Sequence, residues 1–433
     1  MLKYHLALLL YRLFFLINLP VIIIVLLIRS TKHKAYRQRL GERLGLLPRG
    51  IKPGGIVIHA ASVGEVMALK AFVEQVLAAY PNLPVTLTTF TPTGSTQAKK
   101  LFTDRVQHCY LPLDIWPCSV LFLHKLAPKA IVFMETELWP NLISQSAGQN
   151  IPLLLVNGRL SENSIKSYRK LSWLITPALQ RFAAILPQSQ AHKDNFLALG
   201  AQPDTCIVSG NLKFDISQTA EISNKQQELS RLLANRGPVW IAASTHEGDE
   251  QLIVEAYKKV SINTPELLLV LVPRHPERFE KVHQLCQDAG LSVIKRSANQ
   301  LLENDTQVWL LDTLGELMAA YALSDIVTIG GTFSHIGGHN PLEPALFKKP
   351  VIVGGDMSNF AEIHQQFTRQ QAVIQLAATA NVSNELAQQV QNLLESPQQA
   401  QTLGENGYHI VRQNQGASAF SLKQLSQLLA GND

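Results

Sequence analysis

The chain has 433 residues, too many for one ordinary domain and consistent with two. Apolar residues make up 46% and charged residues 16%, which is ample material for buried cores, and the modest net charge of +5 argues against a general nucleic-acid binder. The four cysteines, Cys109, Cys118, Cys206 and Cys286, lack CxxC spacing, so they read as free thiols of a reducing compartment rather than a disulfide or zinc framework.

The first element is an apolar run from Leu6 to Ile28, interrupted by Arg12, Asn18 and Pro20. As a helix it would rise roughly 35 Å, against a bilayer core of about 30 Å. A cleaved signal peptide would have a shorter apolar core and a small-residue cleavage site, and neither is present. Residues 1–30 are therefore expected to be a membrane anchor, either a span or, given Pro20 and Arg12, a kinked interfacial helix. A basic juxtamembrane segment occupies residues 31–54, densest over Lys32–Arg43, and by the positive-inside rule the bulk of the protein lies in the cytoplasm. The same lysines and arginines could also sit near lipid headgroups.

From Gly55 strand-like and helix-like segments alternate. Ile56–Ala60, Pro84–Phe90, Ala130–Met134, Pro152–Asn157 and Ala183–Leu186 are short apolar strand candidates, and Val66–Tyr80 has a helical pattern. Near-continuous apolar strands between helices predict a parallel sheet covered on both faces. HAASVGEVMALK (His59–Lys70) follows the first strand. There Glu65, three residues after Ser62, is either one half of a capping box or a carboxylate at the rim that takes a proton from an acceptor hydroxyl. Thr89–Gly94 is a loop that could shape an acceptor pocket. In METELWPN (Met134–Asn141), Glu135 and Glu137 would point the same way on an extended strand, and two such charges need cationic company or a shared proton. Lys213 and Arg159 are candidate counter-charges.

A polar stretch, residues 217–237, reads as a linker, after which the alternation restarts: Val239–Ser244, Leu267–Val272, Leu291–Ile294, Val308–Asp312, Asp325–Gly330 and Pro350–Gly355. The tail beyond Ala378 is helical in character. The predicted architecture is α/β, with two doubly wound domains over residues 55–216 and 238–433. Ligands of such sheets bind beyond the strand carboxyl ends, and a cleft is expected between the two sets of ends.

Several turns of the second half leave predicted strand ends. Pro273 and Arg274 follow one strand, where a guanidinium could take a phosphate or carboxylate. Leu314, Gly315 and Glu316 form another strand–turn–helix junction. In ASTHEGDE (Ala243–Glu250) the acids fit a capped helix start better than a metal site, since HExxH spacing is absent. GGTFSHIGGHNPLE (Gly330–Glu343) joins four glycines to a helix start with Asn340 as N-cap, Pro341 at the first helical position, then Leu342 and Glu343. Such a turn can seat a phosphate, or can simply be a tidy connection. The dinucleotide fingerprint GxGxxG and the Walker pattern GxxxxGK[ST] are missing, which argues against a dehydrogenase and an ATPase. No D-x-D occurs to hold a metal.

ASVGE, TELWPN, VNGRLS, GNLKFD, STHEGDE, VPRHPERF and GGHNPLEP occur in this order behind the anchor and basic segment. The ordered set resembles the 3-deoxy-D-manno-oct-2-ulosonic acid (Kdo) transferases of Gram-negative lipopolysaccharide synthesis, over essentially the whole chain. The resemblance implies a GT-B fold of two Rossmann-like domains, with an N-terminal domain for the acceptor and a C-terminal one for CMP-Kdo. It also implies a lipid A precursor in the inner membrane as acceptor, and a metal-independent, inverting transfer that needs no cofactor. By residue it implies Glu65 as catalytic base, Glu135 and Lys213 as supports of the transition state, and Pro273, Arg274, Leu314, Gly315, Glu316, Asn340, Pro341, Leu342 and Glu343 as the CMP-binding segments. Another GT-B enzyme, such as a UDP-sugar transferase or epimerase, and a non-catalytic membrane-tethered nucleotide-sugar binder remain alternatives.

Overall fold

The structure, a computed structural model, describes residues 2–32, 34–233 and 237–431. His33 of the basic segment and residues 234–236 of the expected linker lie outside them. The chain forms two compact units, Met1–Asp215 with Asn414–Asp433, and Ile216–Gln413.

In the first unit β1 (Ile56–His59), β2 (Val85–Thr89), β3 (Gln107–Tyr110), β4 (Ala130–Met134), β5 (Leu153–Gly158) and β6 (Ala184–Pro187) form one parallel sheet. Its order is β3-β2-β1-β4-β5-β6. Side chains alternate between two buried layers: Ile56, Ile58, Val132 and Val156 face one, and Val57, Ile131, Phe133 and Leu155 the other. Both layers are apolar because helices cover both faces, which is why the central strands β1, β4 and β5 are near-continuous apolar runs.

β3 was not among the expected strands. Its sequence QHCY is half polar, and Gln107 instead spends its side-chain amide on Thr86 Oγ1 (3.2 Å) and the Lys52 carbonyl (3.0 Å). The stretch CIVSGNLKF (Cys206–Phe214) adds only an isolated bridge between Cys206 and Ile185 to this sheet. The expected helix over Val66–Tyr80 is two helices, Val63–Ala68 and Lys70–Ala79, that meet at Leu69.

The last helix, Ala417–Ala430, falls by sequence within the expected C-terminal domain of residues 238–433, yet it packs in the first unit. Ala417, Leu425 and Leu429 enter the layer of Ile56 and Val66, and Tyr80 donates to Ser426 Oγ at 2.8 Å. Asp215 receives the N–H groups of Gly416 and Ser418 at the helix start, where an acidic side chain satisfies otherwise unpaired donors.

The apolar N-terminal run is two helices, Leu2–Ile17 and Leu19–Lys32, broken at Asn18 and bent by 51°. Among the described residues no single helix is long and apolar enough to cross a membrane, although this pair together would be. Tyr4 and Leu8 pack on Leu174. Arg12, which as a charge in an apolar run weakens a straight span, donates to Asn141 Oδ1 at 2.9 Å, and Tyr11 donates to Asp114 Oδ2 at 2.9 Å. The basic segment differs from expectation in part. Arg43 is only 1% exposed, its guanidinium 4.4 Å from the Tyr110 ring centre, and Arg39 is paired with Glu42, so these two charges hold fold rather than face lipid. Arg29, Lys34 and Arg37 are exposed.

The second unit holds a seven-stranded parallel sheet of β7 (Val239–Thr245), β8 (Leu268–Pro273), β9 (Val293–Lys295), β10 (Val308–Leu310), β11 (Ile326–Ile329), β12 (Val351–Val353) and β13 (Ile374–Gln375). The order is β13-β12-β11-β7-β8-β10-β9. The stretch read as a linker is mostly a helix, Ala220–Leu233, whose Leu229 and Leu233 are buried in this unit with Ala319 and Ala320. All four cysteines are free and buried.

Candidate functional site

Each sheet reverses its strand order near its centre, and open α/β sheets bind ligands beyond the strand carboxyl ends at such a reversal. In the first unit it lies between β1 and β4; in the second, between β7 and β11.

Beyond β1, Ser62 caps the helix Val63–Ala68 by accepting the Glu65 N–H. Ser62 Oγ also donates to Glu65 Oε1 at 2.7 Å, and the Ala61 N–H donates to Oε2 at 2.8 Å. The capping-box alternative is thus realised, and it does not exhaust the carboxylate, since each oxygen keeps a second lone pair. Burial pushes the Glu65 carboxyl upward, the two donors pull it down, and the charge of Glu135 pushes it up again. The loop over Thr89–Gly94 lies on the same edge, with the Thr91 N–H bonded to the Ala61 carbonyl at 3.1 Å.

Beyond β4 the expectation for Glu135 and Glu137 needs correcting. Glu135 has φ 58°, so the chain leaves the extended form there, and the two side chains are not set by strand alternation. Glu137 is partly buried. Burial first, then the charge of Glu65, push its carboxyl up to about 7. Its Oε2 lies 3.9 Å from Nε2 of His59, a fully buried side chain of β1.

Lys213 is in the short turn Leu212–Phe214, where the Asn211 side chain accepts its N–H at 3.0 Å. That turn is pinned to the end of β5: Asn157 (φ 56°) accepts the Leu212 N–H at 2.9 Å, and Gln188 donates to the Asn157 carbonyl at 3.0 Å. Glu65, Glu135 and the Lys213 turn therefore emerge at the ends of three adjacent strands.

In the second unit the loops after β7 and β11 are joined by one side chain. Asp249 Oδ2 accepts the His246 N–H at 2.8 Å and the Gly331 N–H at 2.6 Å. His246 and His339 meet with Nε2 to Nε2 at 2.8 Å, and burial holds the His339 imidazole down at about 4, so the pair is neutral and shares one hydrogen. A Cβ on Gly331 (φ 71°) would come within 3.3 Å of His339 and 3.4 Å of His246, and one on Gly330 would lie 2.6 Å from the Ser244 carbonyl oxygen. Close backbone approach requires glycine at 330, and the left-handed φ favours it at 331. The sequence offers His246 only as part of the acidic ASTHEGDE cluster and gives no separate sign of His339; what joins them is that each sits in a loop bordering the strand reversal.

Pro273 ends β8, and Arg274, exposed beyond it, bears on the titration of His246, His339 and Glu343. Gly315 has φ 86° and gives its carbonyl to Lys225 Nζ at 3.1 Å, while Leu314 is 60% exposed. Glu316 is occupied by the buried Arg296 at 2.9 Å. The helix after the glycine loop spans Leu342–Leu346, one residue later than expected, with Asn340 Oδ1 accepting the Leu342 N–H at 3.1 Å. The Asn340 amide donates to Glu343 Oε1 at 3.3 Å, so the box closes through side chains, and Pro341 precedes the first turn. In ASTHEGDE the Glu250 carboxylate is held by Arg278 at 3.0 Å. Among the described residues no three His, Cys, Asp or Glu side chains are grouped to hold a metal ion.

Residues 38–216 match the family described as 3-deoxy-D-manno-octulosonic-acid transferase (kdotransferase). The chain is 41% identical over 416 residues to the 3-deoxy-D-manno-octulosonic acid transferase of Haemophilus influenzae, covering 95% of this chain and 96% of that one. It is 31% identical to the enzyme of that name from Rickettsia bellii, covering 92% and 94%. Among solved structures it is similar to a UDP-GlcNAc 2-epimerase from Neisseria meningitidis (TM-score 0.58, 14% identity, 86% of this chain and 100% of that one), a likeness of fold alone, of the GT-B kind. With relatives this similar matched over nearly their whole length, the chain belongs to the 3-deoxy-D-manno-octulosonic acid transferase family and is a glycosyltransferase.

Proposed function

We propose that the chain transfers Kdo from CMP-Kdo to a lipid A precursor, lipid IVA, without a metal and with inversion at the anomeric carbon. The observation that carries the reading is the Glu65 carboxylate, fixed by the Ala61 N–H and the Ser62 hydroxyl at the reversal point of the first sheet, in a chain of this family. Held there and made more basic by burial, Glu65 removes the proton of the acceptor's primary hydroxyl as that oxygen attacks the sugar, a contribution of typically 10²–10⁴ in rate. The bond from the anomeric carbon to the phosphate oxygen breaks with its electrons going to CMP. Arg274 and the backbone N–H groups of Asn340 and Glu343 receive the growing phosphate charge, the Leu342 N–H being taken by the Asn340 side chain. Pro273 and the Leu314–Glu316 turn border the nucleotide, while Lys213 and Glu135 support the sugar as it gains cationic character.

Membrane attachment is part of the same proposal, at the cytoplasmic face of the inner membrane. Phe14, Ile17, Ile24 and Ile28 expose apolar side chains in a row of such residues along both N-terminal helices, and such an apolar face wants a covering phase. The opposite side of the first helix is tied to the domain through Tyr11 and Arg12, which favours a helix lying in the interface over a free transverse span. Arg29, Lys34 and Arg37 would meet anionic headgroups.

Incubation of the full chain with CMP-Kdo and lipid IVA, followed by mass spectrometry, tests the reading. A product heavier by one or more Kdo units, formed equally with and without EDTA, is expected. No Kdo adduct, turnover of a UDP-sugar instead, or strict metal dependence rejects it.

A further inference from the structure

His59 is 0% exposed, walled by the rings of Phe133 and Trp139 at centroid distances of 6.3 and 6.4 Å. Its two nitrogens differ. Nδ1 lies 3.0 Å from Thr88 Oγ1, and that hydroxyl's own hydrogen goes to the Ile58 carbonyl at 3.4 Å. Thr88 Oγ1 is therefore an acceptor toward the ring, and Nδ1 carries the imidazole's hydrogen. Nε2 is left as a buried lone pair with no hydrogen-bond partner. Burial keeps the ring from taking a second proton, holding it at about 3.

A buried lone pair calls for a donor. The group facing it is the Glu137 carboxyl, Oε2 to Nε2 3.9 Å. An ionised carboxylate has no hydrogen to give and would set negative charge against the lone pair; a protonated one supplies the donor. The gap closes by about 1 Å of movement to reach hydrogen-bond distance, within the freedom of a side chain that is 27% exposed. The other titratable groups bearing on Glu137 are Glu65 from the helix after β1, Glu135 from its own loop and Tyr168 from the helix Glu162–Arg169. Both carboxylates favour its neutral form, Tyr168 adds no positive charge, and the Trp139 indole N–H, which favours the ionised form, is outweighed by burial and the Glu65 charge.

We propose that His59 and Glu137 form a neutral positioning pair, with the Glu137 carboxyl O–H directed at the Nε2 lone pair of His59, so that Glu65 works beside an uncharged neighbour. Resting on the assignment of Glu65 as base, the pair answers how three carboxyl groups share one sheet edge: one is held as an anion by two donors, and another keeps its proton on an imidazole. Ionising Glu137 would add a negative charge beside Glu65 and against an anionic sugar donor.

Infrared difference spectroscopy on the full chain, with glutamate carboxyls isotopically labelled, tests the pair without substrate. A protonated-carboxyl band is expected at about pH 6, disappearing with a midpoint near 7, and Glu137→Gln should lack it. His59→Asn keeps a donor for Thr88 and removes the Nε2 acceptor, so the midpoint should fall by about one unit. In the transfer assay the wild-type kcat should drop about tenfold from about pH 6 to about pH 8, as one ionisation near 7 requires, and Glu137→Gln should flatten that ratio by presenting a neutral donor throughout. A band that survives Glu137→Gln, or a midpoint unmoved in folded His59→Asn, overturns the pair. Absence of Kdo transfer by the wild type would instead defeat the functional reading and leave the spectroscopic result standing.

Discussion

Replacing Asp249 by alanine and, separately, by asparagine probes what joins the two loops at the reversal point of the second sheet. Asp249 is 0% exposed and its Oδ2 receives two N–H groups, from His246 after β7 and from Gly331 after β11, while Oδ1 has no partner. Alanine leaves both donors buried and unpaired, at about 1–3 kcal/mol each, so a loss of about 2–6 kcal/mol is expected. Asparagine can place its carbonyl oxygen where Oδ2 stood and its amide where no donor is lost. It weakens the bonds by removing the charge, yet also removes a buried charge that burial already disfavours, as the upward push on this carboxyl indicates. The net change for asparagine should stay within about 1 kcal/mol. Hydrogen exchange of the full chain, read in peptides holding residues 243–250 and 326–333, localises the effect. An alanine variant losing about 2 kcal/mol exchanges these amides about thirtyfold faster, while asparagine stays near wild type. Equal protection in the two variants would refute the argument that one acceptor holds both loops.

Glu65→Ala should lower Kdo transfer by at least about 10²-fold while CMP still binds, measured by turnover and by calorimetric titration; near-normal turnover would reject Glu65 as the base. Gly330→Ala drives a methyl to 2.6 Å from both the Ser244 carbonyl oxygen and Thr245 Cα, atoms that cannot swing away. Thermal melts should show a loss of about 1–3 kcal/mol, and CMP binding should weaken with it. Asp114, fully buried beneath the first helix, is pushed up to about 6, mainly by burial. Because the folded-state value is raised from 3.8, its stabilising contribution is complete below about pH 4 and is lost as pH rises through about 6. Urea titrations should find up to about 3 kcal/mol of that dependence in the wild type and less in Asp114→Asn.

The parts of the fold legible in sequence were those fixed by burial on both sides. β1, β4, β5, β7 and β8 are continuous apolar runs because helices cover both faces of each sheet. Where polar groups satisfy one another the signal fades: Gln107 and His108 make β3 half polar, and the two-residue β13 is too short to carry a pattern. An amphipathic helix announces an apolar face but not the partner, so nothing in Ala417–Ala430 told that its leucines enter the first unit, nor that Asp215, two hundred residues earlier, accepts its first N–H groups.

The sites divide on the same physics. Ser62 with Glu65 and Asn340 with Glu343 were readable because a cap depends on residues a few positions apart. What stayed hidden depends on a backbone angle or on a distant strand. The positive φ of Glu135 re-aims the whole ETE segment and takes Glu137 out of the alternation a strand would impose. Asp249 and Gly331 are far apart in sequence and meet only because β7 and β11 are neighbours. His59 looked like one more residue of an apolar strand, and only the hydrogen bonds of Thr88 on the adjoining β2 determine which of its nitrogens is left open toward Glu137. A local motif can therefore name the base, while the protonation of the carboxyl group next to it is set by the order of the strands.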